Sequence, residues 1–202
     1  MLRASVGLCG VLAMAACTPP APSQTVSLAD GAIVAIPPAG YCVDNLASQP
    51  RRDFAVLAPC ATLGGPQGVP SVIGMATIQI GPNDSGGIAQ DEIALRDFLI
   101  TDAGTGLLSQ GGDASDVTIL STQAFSDQVM VHFADAGARP FAGLQAEEWR
   151  AFRNIDGRLV TIGVRGLSSA PLLDGPGAGL LKQILAGVQS TTEDIDTDNP
   201  GA

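Results

Sequence analysis

The chain has 202 residues, 46% of them hydrophobic, with 10 basic against 20 acidic side chains and a net charge of −10. That length suits one domain with its linkers and can bury a core without covalent staples. Such an acidic balance repels phosphate backbones and anionic headgroups, so nucleic acid is not an expected partner.

Met1-Leu2-Arg3 is followed by an apolar, small-residue run from Ala4 to Ala16, then Cys17 and Thr18-Pro19-Pro20. One cation, an uncharged run and a small-residue exit form the secretory signal pattern. The run is shorter than the roughly 20 residues needed to cross a bilayer, so a retained anchor is not expected. Met14-Ala15-Ala16-Cys17 resembles the bacterial lipobox, with Met14 where Leu, Val or Ile is usual. The resemblance implies cleavage before Cys17 and acylation of its thiol; the alternative is cleavage without acylation. Losing residues 1–16 removes Arg3 and no acid, leaving 186 residues with a net charge of −11. By resemblance to enteric lipoprotein sorting, Thr18 after the Cys implies the outer membrane of a Gram-negative bacterium, facing the periplasm.

Residues 17–24 carry three prolines between Thr18 and Ser23 and read as a semi-rigid tether. A single domain is expected over residues 25–190. Cys9 belongs to the discarded leader, which leaves Cys42 and Cys60 as the pair for one disulfide in an exported domain. It would close a loop worth about 3 kcal/mol. Metal or redox use of the pair lacks both C-x-x-C spacing and nearby His ligands.

Within the domain, Val26 and Leu28 alternate with polar neighbours, Asp30-Gly31 reads as a hairpin turn, and Ala32 to Ile36 continues as a strand. Tyr41 to Val43, Phe54 to Ala58 and Val72 to Ile80 follow as strands. Leu95, Phe98 and Leu99 fall on one face of a helix expected over Gln90 to Thr101. Gly104 to Asp113 is glycine-rich and takes no element. Asp116 to Gln123 and Asp127 to Ala134 read as strands, the second with Met130 and His132 on one face.

Asp156-Gly157 favours a type I′ turn and centres a hairpin over Gln145 to Arg165. A two-residue loop pairs Trp149 with Val164 and Ala151 with Ile162. On the reverse face Glu148 would oppose Arg165 as an exposed ion pair of little energetic weight. Leu180, Leu181, Ile184, Leu185 and Val188 form the apolar stripe of a last helix, and residues 191–202 read as an acidic flexible tail.

These elements imply an α+β class: a mostly antiparallel sheet covered by one central and one C-terminal helix. Their order, chiefly the late hairpin from Glu147 to Val164 with its closing helix, resembles the PsbP-like fold. That fold is known from a photosystem II extrinsic subunit and from bacterial envelope lipoproteins. The resemblance implies a sandwich over Val26 to Val188 and carries no site residues with it.

Motifs for chemistry are incomplete. His132 is the only histidine, which excludes a multi-His metal site, and it reads as a surface strand residue. Gly166-Leu167-Ser168-Ser169-Ala170 lacks the second glycine of a nucleophile elbow, and His132 precedes it where a hydrolase needs its His downstream. No phosphate-binding glycine motif is present. Asp194, Asp196 and Asp198 begin like a calcium loop, but Asn199 stands where its glycine belongs. Asp91 with Glu92, and Glu147 with Glu148, are neighbours that point apart, so neither makes an acid/base couple. No catalytic set, cofactor or metal is expected. The favoured expectation is an envelope lipoprotein that binds or scaffolds a partner protein, with exposed apolar area on the sheet face carrying Phe152. The alternative is a small-molecule binder or hydrolase using His132 with Arg150 or Arg165 in one cleft.

Overall fold

The structure, a computed structural model, describes residues 22–65, 68–137 and 141–192. The signal segment, Cys17 with its acylation, most of the tether and the acidic run from residue 193 onward lie outside the described residues.

Val26–Leu28 (β1) and Ile33–Ala35 (β2) form the first hairpin, Val26 facing Ala35. Asp30 and Gly31 turn it with positive φ angles of 54° and 96°, which suits a glycine and an aspartate. Tyr41–Val43 (β3), Phe54–Pro59 (β4) and Met75–Ile80 (β5) follow. Glu92–Leu99 (α1) is capped by Asp91, whose carboxylate accepts from Ala94 N at 2.9 Å.

The glycine-rich stretch that the sequence left without an element holds a second helix, Asp102–Leu108 (α2). Thr101 caps it by accepting from Gly104 N at 3.2 Å. Gly104 has a steric reason to be there: a side chain would run into the end of α1 at Phe98 O and Leu99 Cα. The helix survives its poor propensity because tertiary packing requires close approach.

Val117–Phe125 (β6), Gln128–Asp135 (β7), Glu147–Ile155 (β8) and Arg158–Arg165 (β9) are long strands, followed by Asp174–Ala186 (α3) and Val188–Ser190 (β10). Val188 therefore ends no helix; it opens a strand that pairs with β2. The two residues Asp156 and Gly157 turn β8 into β9 with φ of 49° and 75°, and Trp149 faces Val164 while Ala151 faces Ile162.

All pairings between these strands are antiparallel. Seven strands run in the order β3-β4-β5-β9-β8-β7-β6, and β1-β2-β10 make a separate small sheet. On one face of the large sheet, Ile78, Trp149, Ala151, Ile162 and Val164 pack with Leu181, Ile184 and Leu185 of α3 and with Leu28 and Ile33 of the small sheet. On the other face, Leu95, Leu99 and Leu108 from α1 and α2 cover Val129, Val131 and Phe133 of β7. That second cover reaches only one end of the sheet, and a hollow remains over its middle.

Cys42 on β3 and Cys60 just past β4 are joined by a disulfide, both side chains buried. The bridge staples the edge strand β3 to the turn leaving its neighbour. Among the described residues, no helix is long and apolar enough to cross a membrane.

Candidate functional site

The hollow on the face shared with α1 and α2 has a volume of about 320 Å³. Its floor is four adjacent strands: Phe54 from β4; Met75, Thr77 and Gln79 from β5; Thr161, Gly163 and Arg165 from β9; Glu148 and Arg150 from β8. Gln110, after α2, and Phe141 with Leu144, before β8, form the rim. Alternation explains why these side chains meet. Thr77 faces Gly163 across β5 and β9, Gly163 faces Arg150 across β9 and β8, and residues two apart along each strand share the face.

Glu148 ties the floor together. Its Oε1 accepts from Arg150 Nε at 2.7 Å, and its Oε2 lies 2.6 Å from Arg165 Nη2. Arg165 also donates through Nη1 to the carbonyls of Gln145 and Ala146, at 3.2 and 3.0 Å. Asp135 stands 3.9 Å behind Arg165 Nη2 and is itself held by donation from Gln110 N and Gly137 N. Arg150 rests on the ring of Phe133, with Cζ 5.0 Å from the centroid. Arg165 Nε and Gln145 Nε2 are buried without a hydrogen-bond partner.

The expected Glu148–Arg165 pair therefore exists but not at the surface: the side chains are 6% and 4% exposed. Helices α1 and α2 and the loops at the rim wall off a face that the sequence left to solvent. Gly163 gives the cluster its room. A methyl group there would stand 2.6 Å from Glu148 Oε1 and 3.1 Å from Thr77 Oγ1. A glycine in the middle of a strand opposite an arginine is the sequence signal that could have revealed the site, since such glycines mark close approach.

His132 lies elsewhere. Its register partner is Trp149, and both side chains point to the α3 face, whereas Arg150 pairs with Val131 and points to the other. The structure thus parts His132 from Arg150 and Arg165, and the single-cleft constellation does not form. Nor is His132 a surface residue: it is buried, stacked on Trp149 at 4.2 Å between ring centroids. Its Nε2 is 3.1 Å from Glu147 Oε2 and its Nδ1 3.4 Å from Asp174 Oδ1. Glu147 and Glu148 do point apart, one to each face.

His132, Glu147 and Asp174 offer three potential metal-ligand atoms within 4.8 Å of one another. Each carboxylate, however, meets a different ring nitrogen, so this geometry clamps the start of α3 to β7 and β8. A shared ion would need both carboxylates beside one nitrogen. Ser168 and Ser169 sit exposed in the turn after β9. Phe152 is half-buried against the α1 and α2 cluster, so the face carrying it opens to solvent at the hollow and not as a flat apolar patch.

No protein-family model and no curated protein matches this sequence. Among solved structures, the Ran-binding protein Mog1p of Saccharomyces cerevisiae matches with 11% identity over 83% of this chain and 94% of its own, at a TM-score of 0.50. A single-residue mutant of Mog1 gives the same identity and score over 84% and 97%. The cyanobacterial PsbP of Synechocystis sp. PCC 6803 aligns over 92% and 98%, with 13% identity and a TM-score of 0.44. At such identities the likeness concerns the fold alone: the chain shares the α+β architecture of the Mog1 structure.

Proposed function

We propose that this chain is a tethered, non-enzymatic binding protein of the cell envelope that takes a partner protein on the open face of its seven-stranded sheet. One observation carries the reading: the hollow over β4, β5, β9 and β8, with its ionic groups committed to one another. Glu148 neutralises two guanidinium groups at once, and among the described residues neither His nor Cys nor Ser lines the hollow. Groups held in this way position a ligand. Buried ion pairs are poor sources of stability compared with apolar side chains of the same volume. What this cluster contributes is direction and specificity at the floor of a recess.

The Mog1 structure of the same fold belongs to a Ran-binding protein, which supports protein recognition as a use of this architecture without naming a partner. The leader from Met1 to Cys17 supports export, and a structural disulfide suits an oxidising compartment. An anchor at Cys17 and the prolines that follow it would hold the domain off the outer membrane on the periplasmic side.

The test is cross-linking and affinity capture of the full-length protein from native membranes, beside a Cys17→Ser control. A defined partner, recovered with wild type and lost from the control together with membrane association, is the expected result. Turnover of substrates from a broad hydrolase panel, abolished by Arg150→Gln, would overturn the non-enzymatic reading. Unchanged membrane association of the control would overturn the anchor.

A further inference from the structure

We propose that the hollow binds a single carboxylate carried on an apolar body, seated on the outer edge of the Arg150 guanidinium. The inference rests on the binding reading above and names the chemistry of its ligand. Arg150 spends Nε on Glu148 and one face of its guanidinium plane on Phe133. Its two Nη amines make no hydrogen bond within the described residues, and the side chain, 11% exposed, lines the hollow. Two parallel N–H groups on a fixed plane match the two oxygens of a carboxylate.

The charge balance favours a monoanion. Arg150 and Arg165 are offset by Glu148 and Asp135, so the site is near neutral before anything binds. A carboxylate on the Arg150 fork leaves the site with a single net negative charge, whereas a doubly charged phosphate would leave two beside Glu148. A neutral amide would waste the fork. Around this polar floor, Phe54, Met75, Phe141 and Leu144 supply apolar wall, and Thr77 and Thr161 add hydroxyls.

The volume, near the lower end of the roughly 300–1,000 Å³ common for ligand sites, suits one residue or a small acid. The same chemistry has two sources: the C-terminal carboxylate of a partner polypeptide and a free carboxylic acid. The reading above makes the first the expected one.

Calorimetric titration of the full-length protein in detergent tests this with three probes: N-acetyl-Leu-Phe with a free carboxylate, its C-terminal amide, and 4-phenylbutyrate. The acid peptide should bind at least about 10-fold more tightly than the amide, the scale of a charge-assisted bidentate contact. Arg150→Gln should weaken the acid by about 10- to 100-fold. Arg150→Lys should recover only part, because it restores charge without the fork. Met75→Trp should fill the recess and block binding while leaving every charged group in place, which keeps the test decisive if Arg150→Gln folds poorly.

Equal binding of acid and amide, no binding of any probe, or wild-type affinity in Arg150→Gln would overturn the proposal. Binding of 4-phenylbutyrate without the peptide would support it with the free acid as its source. The two readings can fail separately. A captured partner that saturating acid peptide does not displace would sink the carboxylate proposal and leave the binding function. Acid binding with no captured partner would do the reverse.

Discussion

Tyr41 is the only tyrosine of the chain, and its phenol is enclosed between two backbone groups. It donates to Val72 O at 2.9 Å and accepts from Gly74 N at 3.0 Å. Burial pushes its pKa from 10.0 up to about 12, against a smaller opposing effect from the Gly74 N–H. The folded chain holds this proton more tightly than the unfolded chain does. Its contribution to stability is therefore full below about pH 10 and is lost as pH rises towards 12. Ultraviolet titration of the phenolate should show one transition near pH 12, returning to 10 in denaturant; a native transition at 10 would refute the enclosure.

Glu148 makes a second prediction at this scale. Glu148→Ala leaves two guanidinium groups facing each other in a buried site and should cost about 3–5 kcal/mol in urea unfolding. Replacing Glu148, Arg150, Arg165 and Asp135 together by Leu, Met, Met and Asn should recover most of that stability while abolishing ligand binding, since no buried charge is then left without its partner. A quadruple variant that stayed as unstable as the single one would show that the cluster itself holds the sheet together.

At the scale of elements, α3 rests on the large sheet through Gly177. A methyl group there would meet the Trp149 ring at 2.5 Å, so helix and indole are in direct contact. Gly177→Ala should lift the start of α3, at an overpacking cost of about 1–3 kcal/mol. Because Trp149 is the only tryptophan, its emission should shift as the His132 stack and the Asp174 contact loosen. Unchanged emission and stability would mean that α3 seats without close contact.

The late hairpin was legible to the residue because Asp156-Gly157 permits only a narrow choice of turn, which fixes every pair from Trp149 to Val164. The helix α2 was not, since its glycines serve packing against α1 and erase the propensity signal. The faces of Glu148 and His132 were read correctly, but their exposure was not, for a common reason. Alternation along a strand says which residues share a face; only the cover laid over that face, α1 with α2 on one side and α3 on the other, decides what is buried. The hollow was invisible for the same reason, because Gln110, Phe141 and Leu144 reach it from loops distant in the chain.

For the molecule as a whole, element order identified an α+β sandwich but not its division into two sheets. The small sheet depends on β10, three residues read as a helix end and the margin of a tail. Val188 and Ser190 are buried against the hairpin β1–β2, and Thr191 Oγ1 donates to Gly31 O, a partner 160 residues away. A chain ending at Gly187 should therefore lose the third strand of that sheet and unfold at lower urea, in a broadened transition. A midpoint equal to that of the full chain would show β10 to be dispensable.

The pairing of β10 with β2 also sets the order of events in time. The first strands to be synthesised wait for the last described one before their sheet can close. Contacts so distant in sequence slow folding. A ribosome or an export channel thus delivers everything from β1 to β10 before the small sheet can lock. If the chain is exported as proposed above, late closure of the small sheet would help keep it from folding before it has crossed the membrane.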